Sequence, residues 1–386
     1  SRTAKSITIS REMQRSLDIS AERLTPNELI SQLLCAPVDL LWNAGIGTFI
    51  KAASESHAQV GDKLNDSLRV DARDLRCRVL GEGGNQGITQ QARVEYALGL
   101  GRINTDFIDN AAGVDCADHE VNIKILLNDV VAADDLTAKQ RVELLAQMKD
   151  EVAQLVLSNN YRQAQLISLE QARAVEVMHE NRRFIVTLEK QGRLDRTLAC
   201  IPADEVLIER QHAGIGLTRP ELAILVACSK AELKEKLIKS TVPDDPFLAR
   251  EIGCAFPKQL AKHYKEALQN HCLRREIVAT QLANNVVNLM GFKFVNHLQS
   301  YTRSGIDHII RAYVLARDVF DIRALWLQIE ALDYKVDAVI QMRMMDELQY
   351  LMRRATRWFV LYRPVDAPVH PHEVKRFRQA VTAIAP

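Results

Sequence analysis

Residues 79–128 read VLGEGGNQGITQQARVEYALGLGRINTDFIDNAAGVDCADHEVNIKILLN. This pattern predicts a short strand, a glycine-rich turn, a helix, a second short strand and a polar loop that opens a second helix. Two turns with little side-chain cover therefore follow two strands. In an open α/β sheet, ligands bind where the carboxyl ends of strands meet such turns. The stretch is thus predicted to line a binding site.

The chain before this stretch begins with local helix and strand signals. Residues 25–28 read Thr-Pro-Asn-Glu and fit a capping box with proline at the first helical position. The helix that follows should end near Ala36, because the residue before a proline is pushed out of the α region. Residues 7–9 alternate apolar and polar side chains, which is compatible with an edge strand.

A further turn of the same kind follows residue 42. Residues 38–42 are mostly apolar and run into Asn-Ala-Gly-Ile-Gly at 43–47, which is typical of a buried parallel strand that enters a glycine turn. Residues 49–68 are predicted to be helical but polar. Residues 77–81 are predicted to form the next strand, and residues 88–100 the helix after it.

Beyond about residue 130 the strand signals nearly vanish. Thr137 with Gln140, and Thr218 with Glu221, mark two helix starts. Two short segments fit either strands or irregular structure, namely 183–188 and 198–210. Helical periodicity predicts helices over 137–157, 244–268, 273–290, 304–319 and 322–361.

These signals predict an α/β plus all-α fold, in which a partial Rossmann-like, doubly wound sheet is followed by a mostly helical C-terminal domain. The predicted domains are a partial dinucleotide-binding domain over 1–130, a helical domain over 131–363 and a loosely packed tail over 364–386. Residues 1–130 supply about three strands, roughly half of what a doubly wound dinucleotide fold requires.

Composition excludes several classes of function. The chain has 386 residues, a formal net charge of +1 and only 5% aromatic residues, so neither a global field nor stacking platforms favour binding to nucleic acid. No apolar run approaches the ~20 residues that a membrane-spanning helix needs. Seven cysteines without a Cys-x-x-Cys pair favour reduced thiols in a cytoplasmic protein.

The glycine turn at residues 81–87 lets backbone approach a ligand closely, and Asn85 adds a donor and an acceptor. The Gly-x-Gly-x-x-Gly spacing of a dinucleotide fingerprint is missing, and no acidic residue follows at the required distance. Taken alone, this turn and the one at 43–47 are each more often plain tight turns than ligand sites.

Residues 110–120 contain more polar side chains than either of the two glycine turns. Asn110 could bond an amide or a ribose hydroxyl, and the small residues after it would let a flat ring approach. Cys116, Asp118, His119 and Glu120 suggest a metal site, but no second cluster offers the matching ligands, so no metal is predicted. The alternative for Asp118 is a helix N-cap.

Four motifs together resemble the large bacterial NAD-specific glutamate dehydrogenases. They are VDLLWNAGIGT at 38–48, GEGGN at 81–85, NAAGVDCADHEVN at 110–122 and HAGIGLTRPELA at 212–223. The resemblance covers nearly the whole chain and implies the C-terminal portion of a longer protein, which agrees with a start at Ser-Arg-Thr that reads as internal or cleaved. It also implies amino acid catabolism, in which L-glutamate is oxidised to 2-oxoglutarate and ammonium with hydride transfer to NAD, by a homo-oligomer.

The resemblance also carries over site residues. Asn85 and Asn110 would contact the nicotinamide ribose or carboxamide. The cofactor would also be bordered by Ala44, Gly45 and Gly83. The substrate would be bordered by Gly113 and Val114.

Departures from the family limit what this chain could do by itself. Family members often have serine where this chain has Ala117, so Ala117 is not expected to be a ligand. The acid–base lysines and aspartate of the family are absent and are expected upstream, so no catalytic residue is assigned here and the chain alone is expected to be inactive. The alternative is a non-catalytic helical module for regulation or oligomerisation, and the upstream sequence would distinguish the two.

Overall fold

A computed structural model describes residues 3–365 and 367–384, with only the backbone at residue 384. The chain forms two compact units, and each draws on two stretches of sequence. The first unit combines Ser1–Val114 with Glu170–Leu225, and the second combines Asp115–Leu169 with Val226–Pro386. The predicted domains instead follow one another along the chain, and their boundaries at residues 130 and 363 stay a prediction.

The first 110 residues contain all the strands of the described part of the chain, each short. In chain order the elements are β1 (Ile7–Thr8), α1 (Arg11–Leu17), β2 (Arg23–Leu24), α2 (Pro26–Leu34), β3 (Leu40–Asn43), β4 (Ile50–Lys51), α3 (His57–Val60), β5 (Val70–Asp71), β6 (Val79–Glu82), α4 (Gln90–Leu98), β7 (Arg102–Ile103) and α5 (Asp106–Asp109). The strands predicted at 38–42 and 77–81 and the helix predicted over 88–100 are confirmed, with ends shifted by one or two residues.

Helix α2 begins as its sequence predicts. The hydroxyl and backbone N–H of Thr25 donate to the Glu28 carboxylate, both at 2.8 Å, and the Glu28 N–H donates back to the Thr25 hydroxyl at 3.4 Å. These bonds satisfy backbone donors that the first turn of a helix leaves unpaired. Local chemistry alone therefore sets the start of this helix.

Replacing Thr25 by alanine is expected to lower the free energy of unfolding by about 1 kcal/mol, because it removes the side-chain half of this capping box. Urea unfolding followed by circular dichroism measures the change. Thr25→Ser keeps the hydroxyl and should stay close to the parent value. An equal loss in both variants would mean that the methyl group of Thr25, and not its hydroxyl, stabilises the helix.

Strands β3, β6 and β7 form a three-stranded parallel sheet in that order, with Asn43 opposite Glu82. Leu80 faces the core of the first unit and is 1% exposed. Leu40 and Trp42 lie on β3 with 56% and 55% of their surface exposed. The prediction of a parallel strand at 38–42 is thus confirmed, but the prediction that it is buried is wrong, because alternate side chains of β3 face outward.

The prediction of a polar helix over 49–68 is wrong. Ile50 is fully buried in β4 and pairs in parallel with Val70 of β5. Only α3 and a 3₁₀ turn over Lys63–Asn65 are helical in that segment. The pairing joins residues 20 apart in sequence, so burial in the core overrides the local helical pattern.

The regular elements in the rest of the described chain are helices. The elements are α6 (Ala111–Ala132), α7 (Ala138–Gln147), α8 (Lys149–Ala172), α9 (Met178–Lys190), α10 (Arg196–Ala199), α11 (Asp204–His212), α12 (Arg219–Ile238), α13 (Lys258–His263), α14 (Lys265–Gln269), α15 (Arg274–Met290), α16 (Phe294–Thr302), α17 (Ile306–Val319), α18 (Ile322–Glu330), α19 (Ala338–Tyr362) and α20 (Pro371–Ile384), with 3₁₀ segments at Val242–Asp244 and Ala249–Ala255. Among the described residues, no helix is both long and apolar enough to cross a bilayer.

Several helix predictions are confirmed and others need correction. The starts at Thr137 and Thr218 and the helices over 273–290 and 304–319 agree with α7, α12, α15 and α17. The segments that fitted strands or irregular structure, 183–188 and 198–210, are largely helical in α9, α10 and α11. The long helices predicted over 137–157, 244–268 and 322–361 are each divided. In the last of these, Tyr334 adopts a φ of 61°, which helical backbone does not allow.

Helix α17 lies at the centre of the second unit. Every residue from His308 to Arg317 is buried, and α17 packs against α16, α18, α19 and α20. The expectation of a loosely packed tail is therefore wrong for the described part of 364–386, since α20 contacts α17 and Glu373 accepts from Arg363 at 2.9 Å. Residues 366, 385 and 386 lie outside the described residues.

Candidate site at the carboxyl edge of the parallel sheet

The carboxyl ends of β3, β6 and β7 bring three turns to one edge of the sheet. β3 ends at Asn43, β6 at Glu82 and β7 at Ile103. The first two turns contact each other directly: the N–H of Gly83 donates to the carbonyl of Asn43 at 2.8 Å. Parallel strands necessarily end side by side at such an edge, which is the usual ligand position in an open α/β sheet.

Gly83 and Gly81 are required by packing around Trp42. A Cβ atom on either glycine would lie 2.5 Å from the nearest atom of the Trp42 indole. At Gly84 the crowding comes from backbone, since a Cβ there would lie 3.2 Å from the carbonyl oxygen of Gly45. The glycines therefore serve to bring the two turns and the indole together, which is a sufficient structural reason for their presence.

Asn85 and Asn110, the two predicted contacts to nicotinamide, meet at this edge. The side-chain amino group of Asn110 donates to the side-chain oxygen of Asn85 at 3.0 Å. Asn85 is exposed and Asn110 half-buried. After this bond, the pair retains the amino group of Asn85 and the oxygen of Asn110, so it offers a donor beside an acceptor.

Ala44, Gly45, Gly113 and Val114 are all accessible. Ala44 and Gly45 are exposed in the turn after β3. Gly113 and Val114 are exposed in the first turn of α6, where a Cβ on Gly113 would meet nothing within 4 Å. All predicted cofactor positions thus border the same edge, and the two predicted substrate positions follow Asn110 by one helical turn.

The second helix of this stretch begins at Ala111, so the N-cap alternative for Asp118 is wrong. Asn110 ends α5, with its backbone N–H donating to the carbonyl of Asp106 at 2.7 Å, and α6 begins at the next residue. Asp118 lies inside α6 and not at its N-cap. His119 is buried, and its Nδ1 lies 2.9 Å from the carbonyl of Ala255. Among the described residues, no three metal-binding side chains converge.

Sequence reasoning missed a buried ion pair beneath the site. The carboxylate of Glu82, fully buried at the end of β6, accepts from Nε and Nη2 of Arg93 at 2.6 and 2.8 Å. Arg93 also lies 3.3 Å from Asp106. Burial raises the pKa of Glu82, while the guanidinium of Arg93 acts in the opposite direction. Arg93 on α4 therefore ties the end of β6 to the start of α5.

Two backbone contacts extend this connection to the Asn85–Asn110 pair. Asp106 accepts from the backbone N–H of Gln86 at 2.8 Å, directly after Asn85. Asp109, directly before Asn110, accepts from the backbone N–H of Glu82 at 3.2 Å. The segments that carry the two asparagines are thus held together at both ends by carboxylates.

A third layer of contacts fixes Asp109. Its other carboxylate oxygen accepts from Asn104 at 2.8 Å, and Asn104 accepts in turn from Nε of Arg219 at 2.8 Å. Burial raises the pKa of Asp109 and lowers the pKa of Arg219. Arg219 belongs to the motif at 212–223, so the sequence contained this residue, but only the fold shows what it contacts.

Comparison with known proteins identifies the family. Residues 1–170 match the family model described as bacterial NAD-glutamate dehydrogenase, catalytic domain, and residues 214–386 match the model described as glutamate dehydrogenase, C-terminal. The chain belongs to the bacterial NAD-glutamate dehydrogenase family. The edge of the sheet and every predicted site residue fall within the stretch that matches the catalytic-domain model.

Three curated relatives are named NAD-specific glutamate dehydrogenase. The chain is 57% identical to the protein of Pseudomonas aeruginosa over 93% of its length, 51% identical to that of Halomonas elongata over 94%, and 40% identical to that of Mycobacterium tuberculosis over 100%. It spans only 22% of the first two proteins and 24% of the third. The chain therefore corresponds to a fraction of each relative.

Proposed function

We propose that this chain forms part of an enzyme that oxidises L-glutamate to 2-oxoglutarate and ammonium with NAD as hydride acceptor. The match to a catalytic-domain model and the names of the relatives support this reaction. The chain itself contributes one wall of the site, while the acid–base groups belong to the part of the parent protein that it does not cover. Hydride transfer requires cofactor and substrate in near-attack geometry, which a single wall does not provide.

The paired asparagines support a role in holding the nicotinamide end of NAD. A carboxamide needs a donor for its oxygen and an acceptor for its amino group, and the Asn85–Asn110 pair retains one of each. Ala44, Gly45 and Gly83 would border the cofactor as backbone and small side chains. In this proposal Gly113 and Val114 border the substrate.

We also propose a fold, a cellular compartment and an oligomeric state for the parent enzyme. The three-stranded sheet is one portion of a Rossmann-like, doubly wound sheet whose exposed face, marked by Leu40 and Trp42, is covered in the full-length protein. The enzyme is a cytoplasmic homo-oligomer. None of the seven cysteines, all of which lie among the described residues, forms a disulfide, which fits a reducing compartment.

Replacing Asn110 by alanine in the full-length enzyme is expected to lower kcat/KM by at least ten-fold, since about 1–3 kcal/mol accompanies the loss of a buried polar contact. Steady-state kinetics with glutamate and NAD measure the effect. Asn128→Ala, at an exposed position farther along α6, is the matched control and should leave the kinetics unchanged. Unchanged kinetics in Asn110→Ala would remove this residue from the cofactor site.

A further inference from the structure

A polar cavity of about 230 Å³ lies within the second compact unit. Its walls come from α8, α15, α18 and the 3₁₀ segment Ala249–Ala255. The volume is somewhat below the ~300 Å³ at which clefts begin to hold drug-sized ligands, so the space suits a smaller metabolite. None of its lining residues belongs to the edge of the parallel sheet.

Helix α15 turns a stripe of amides toward this cavity. The lining residues Gln281, Asn284, Asn285 and Asn288 follow the spacing i, i+3, i+4, i+7, which places them on one face of the helix. A helix face that packs against neighbouring helices is ordinarily apolar. A run of amides at these positions therefore needs a reason other than core packing.

The side-chain oxygens of Asn285 and Asn288 differ in their hydrogen bonding. The side-chain oxygen of Asn285 accepts from the Tyr313 hydroxyl at 2.9 Å and from Arg317 at 3.0 Å. Asn288 is only 8% exposed, yet its side-chain oxygen forms no hydrogen bond with any described residue. Leaving a buried acceptor unpaired is costly, so a ligand that donates a hydrogen bond would satisfy Asn288.

The charged groups of the cavity favour an anion. Glu251, the only acidic residue in its lining, is already paired with Arg317 at 2.8 Å and with Arg323. Arg162 also lines the cavity, and its sole ion pair among the described residues is a 4.0 Å approach to Glu330. Most donors of the Arg162 guanidinium are therefore available, and their planar geometry matches a carboxylate.

We propose that this cavity binds a small carboxylic acid that also carries a hydroxyl group. Arg162 binds the carboxylate, and Asn288 accepts the hydrogen bond of the hydroxyl. A hydroxyl suits this position better than an ammonium group, because the guanidiniums of Arg162 and Arg323 would repel a further positive charge.

L-Malate and succinate are matched probes, since they differ only by the hydroxyl group. Titration calorimetry on the full-length enzyme should give malate an affinity at least ten-fold above that of succinate. Asn288→Leu should abolish this preference, and Arg162→Gln should weaken both ligands by ten-fold or more. Glu276→Gln, at an exposed position of α15 outside the cavity, is the control and should bind like the parent enzyme.

Three results would overturn the proposal: no malate binding by the parent enzyme, equal affinities for the two acids, or binding that neither variant changes. The last result would assign malate to a different carboxylate site. Thermal unfolding of each variant shows whether it is folded. If Asn288→Leu does not fold, the malate and succinate affinities of Arg162→Gln provide the test. The Arg162 side chain is 36% exposed, so its replacement is tolerated more readily.

Discussion

Replacing Arg93 by methionine is expected to lower the free energy of unfolding by about 3–5 kcal/mol, because the carboxylate of Glu82 then stays buried without its partner. The same change releases the start of α5, which Arg93 contacts through Asp106. Since Gln86 also depends on Asp106, the Asn85–Asn110 pair should lose its alignment. We therefore expect kcat/KM of the full-length enzyme to fall together with stability.

The matched control is Arg78→Met. Arg78 pairs with Asp39 at 3.2 Å on the surface, where both side chains are more than 80% exposed, so its loss should cost less than about 1 kcal/mol. Urea unfolding of the 386-residue chain compares the two variants. Similar losses for both would show that burial of the Glu82–Arg93 pair does not matter to this fold.

Replacing Glu251 by glutamine is expected to be equally damaging in the second unit, at about 3–5 kcal/mol. Glu251 is 2% exposed and accepts from Arg317 at 2.8 Å and from Arg323. Without its charge, two guanidiniums face each other, and that of Arg317 is fully buried. Glu120→Gln is the control, since the Glu120–Lys124 pair lies on the exposed side of α6 and should cost less than about 1 kcal/mol.

The Glu251 effect should depend on pH in a defined direction. Burial disfavours the Glu251 carboxylate, but Arg317 and Arg323 outweigh it and lower its pKa from 4.5 to about 2. A lowered pKa in the folded state adds stability that is fully present above pH 4.5 and is lost as the pH falls toward 2. The stability difference between parent and Glu251→Gln should therefore shrink over that range. A difference that stays constant would contradict the assigned pairing.

Local sequence chemistry predicted the helix starts well. Thr25 with Glu28, Thr137 with Gln140 and Thr218 with Glu221 form capping contacts within three residues, so no distant contact is needed to define them. Helices α15 and α17 were also predictable, because their apolar periodicity continues without interruption over most of their length.

Long-range contacts explain the errors. β4 is two residues long and exists because it pairs with β5, which a local helical pattern over 49–68 conceals. The N-cap alternative for Asp118 is wrong because α6 already begins at Ala111, and the exposed Gly113 in its first turn costs only about 1 kcal/mol. The pairing of β4 with β5 could not be read from neighbouring residues.

The candidate site likewise has parts that the sequence predicts and parts that only the fold shows. Both Asn85 and Asn110 belong to the family motifs, and the fold brings them together although Asn85 follows β6 and Asn110 stands between α5 and α6. Their contact with the cofactor stays a prediction. The Glu82–Arg93 pair was not predictable, since its members lie 11 residues apart on different elements and meet only when α4 packs on the sheet. Arg219 contacts Asn104 across 115 residues, and spacing contains no signal for such a contact.

The most direct test is glutamate-dependent NADH formation, followed by absorbance, on two purified proteins at equal and high concentration. One is the full-length parent enzyme, and the other is the 386-residue chain alone. We expect NADH from the full-length enzyme and none from the chain, because the proposed function gives the chain one wall of the site and assigns the acid–base groups to the rest of the parent protein. A full-length protein that does not reduce NAD with glutamate would contradict the proposed reaction, and activity in the chain alone would contradict the proposed division of the site.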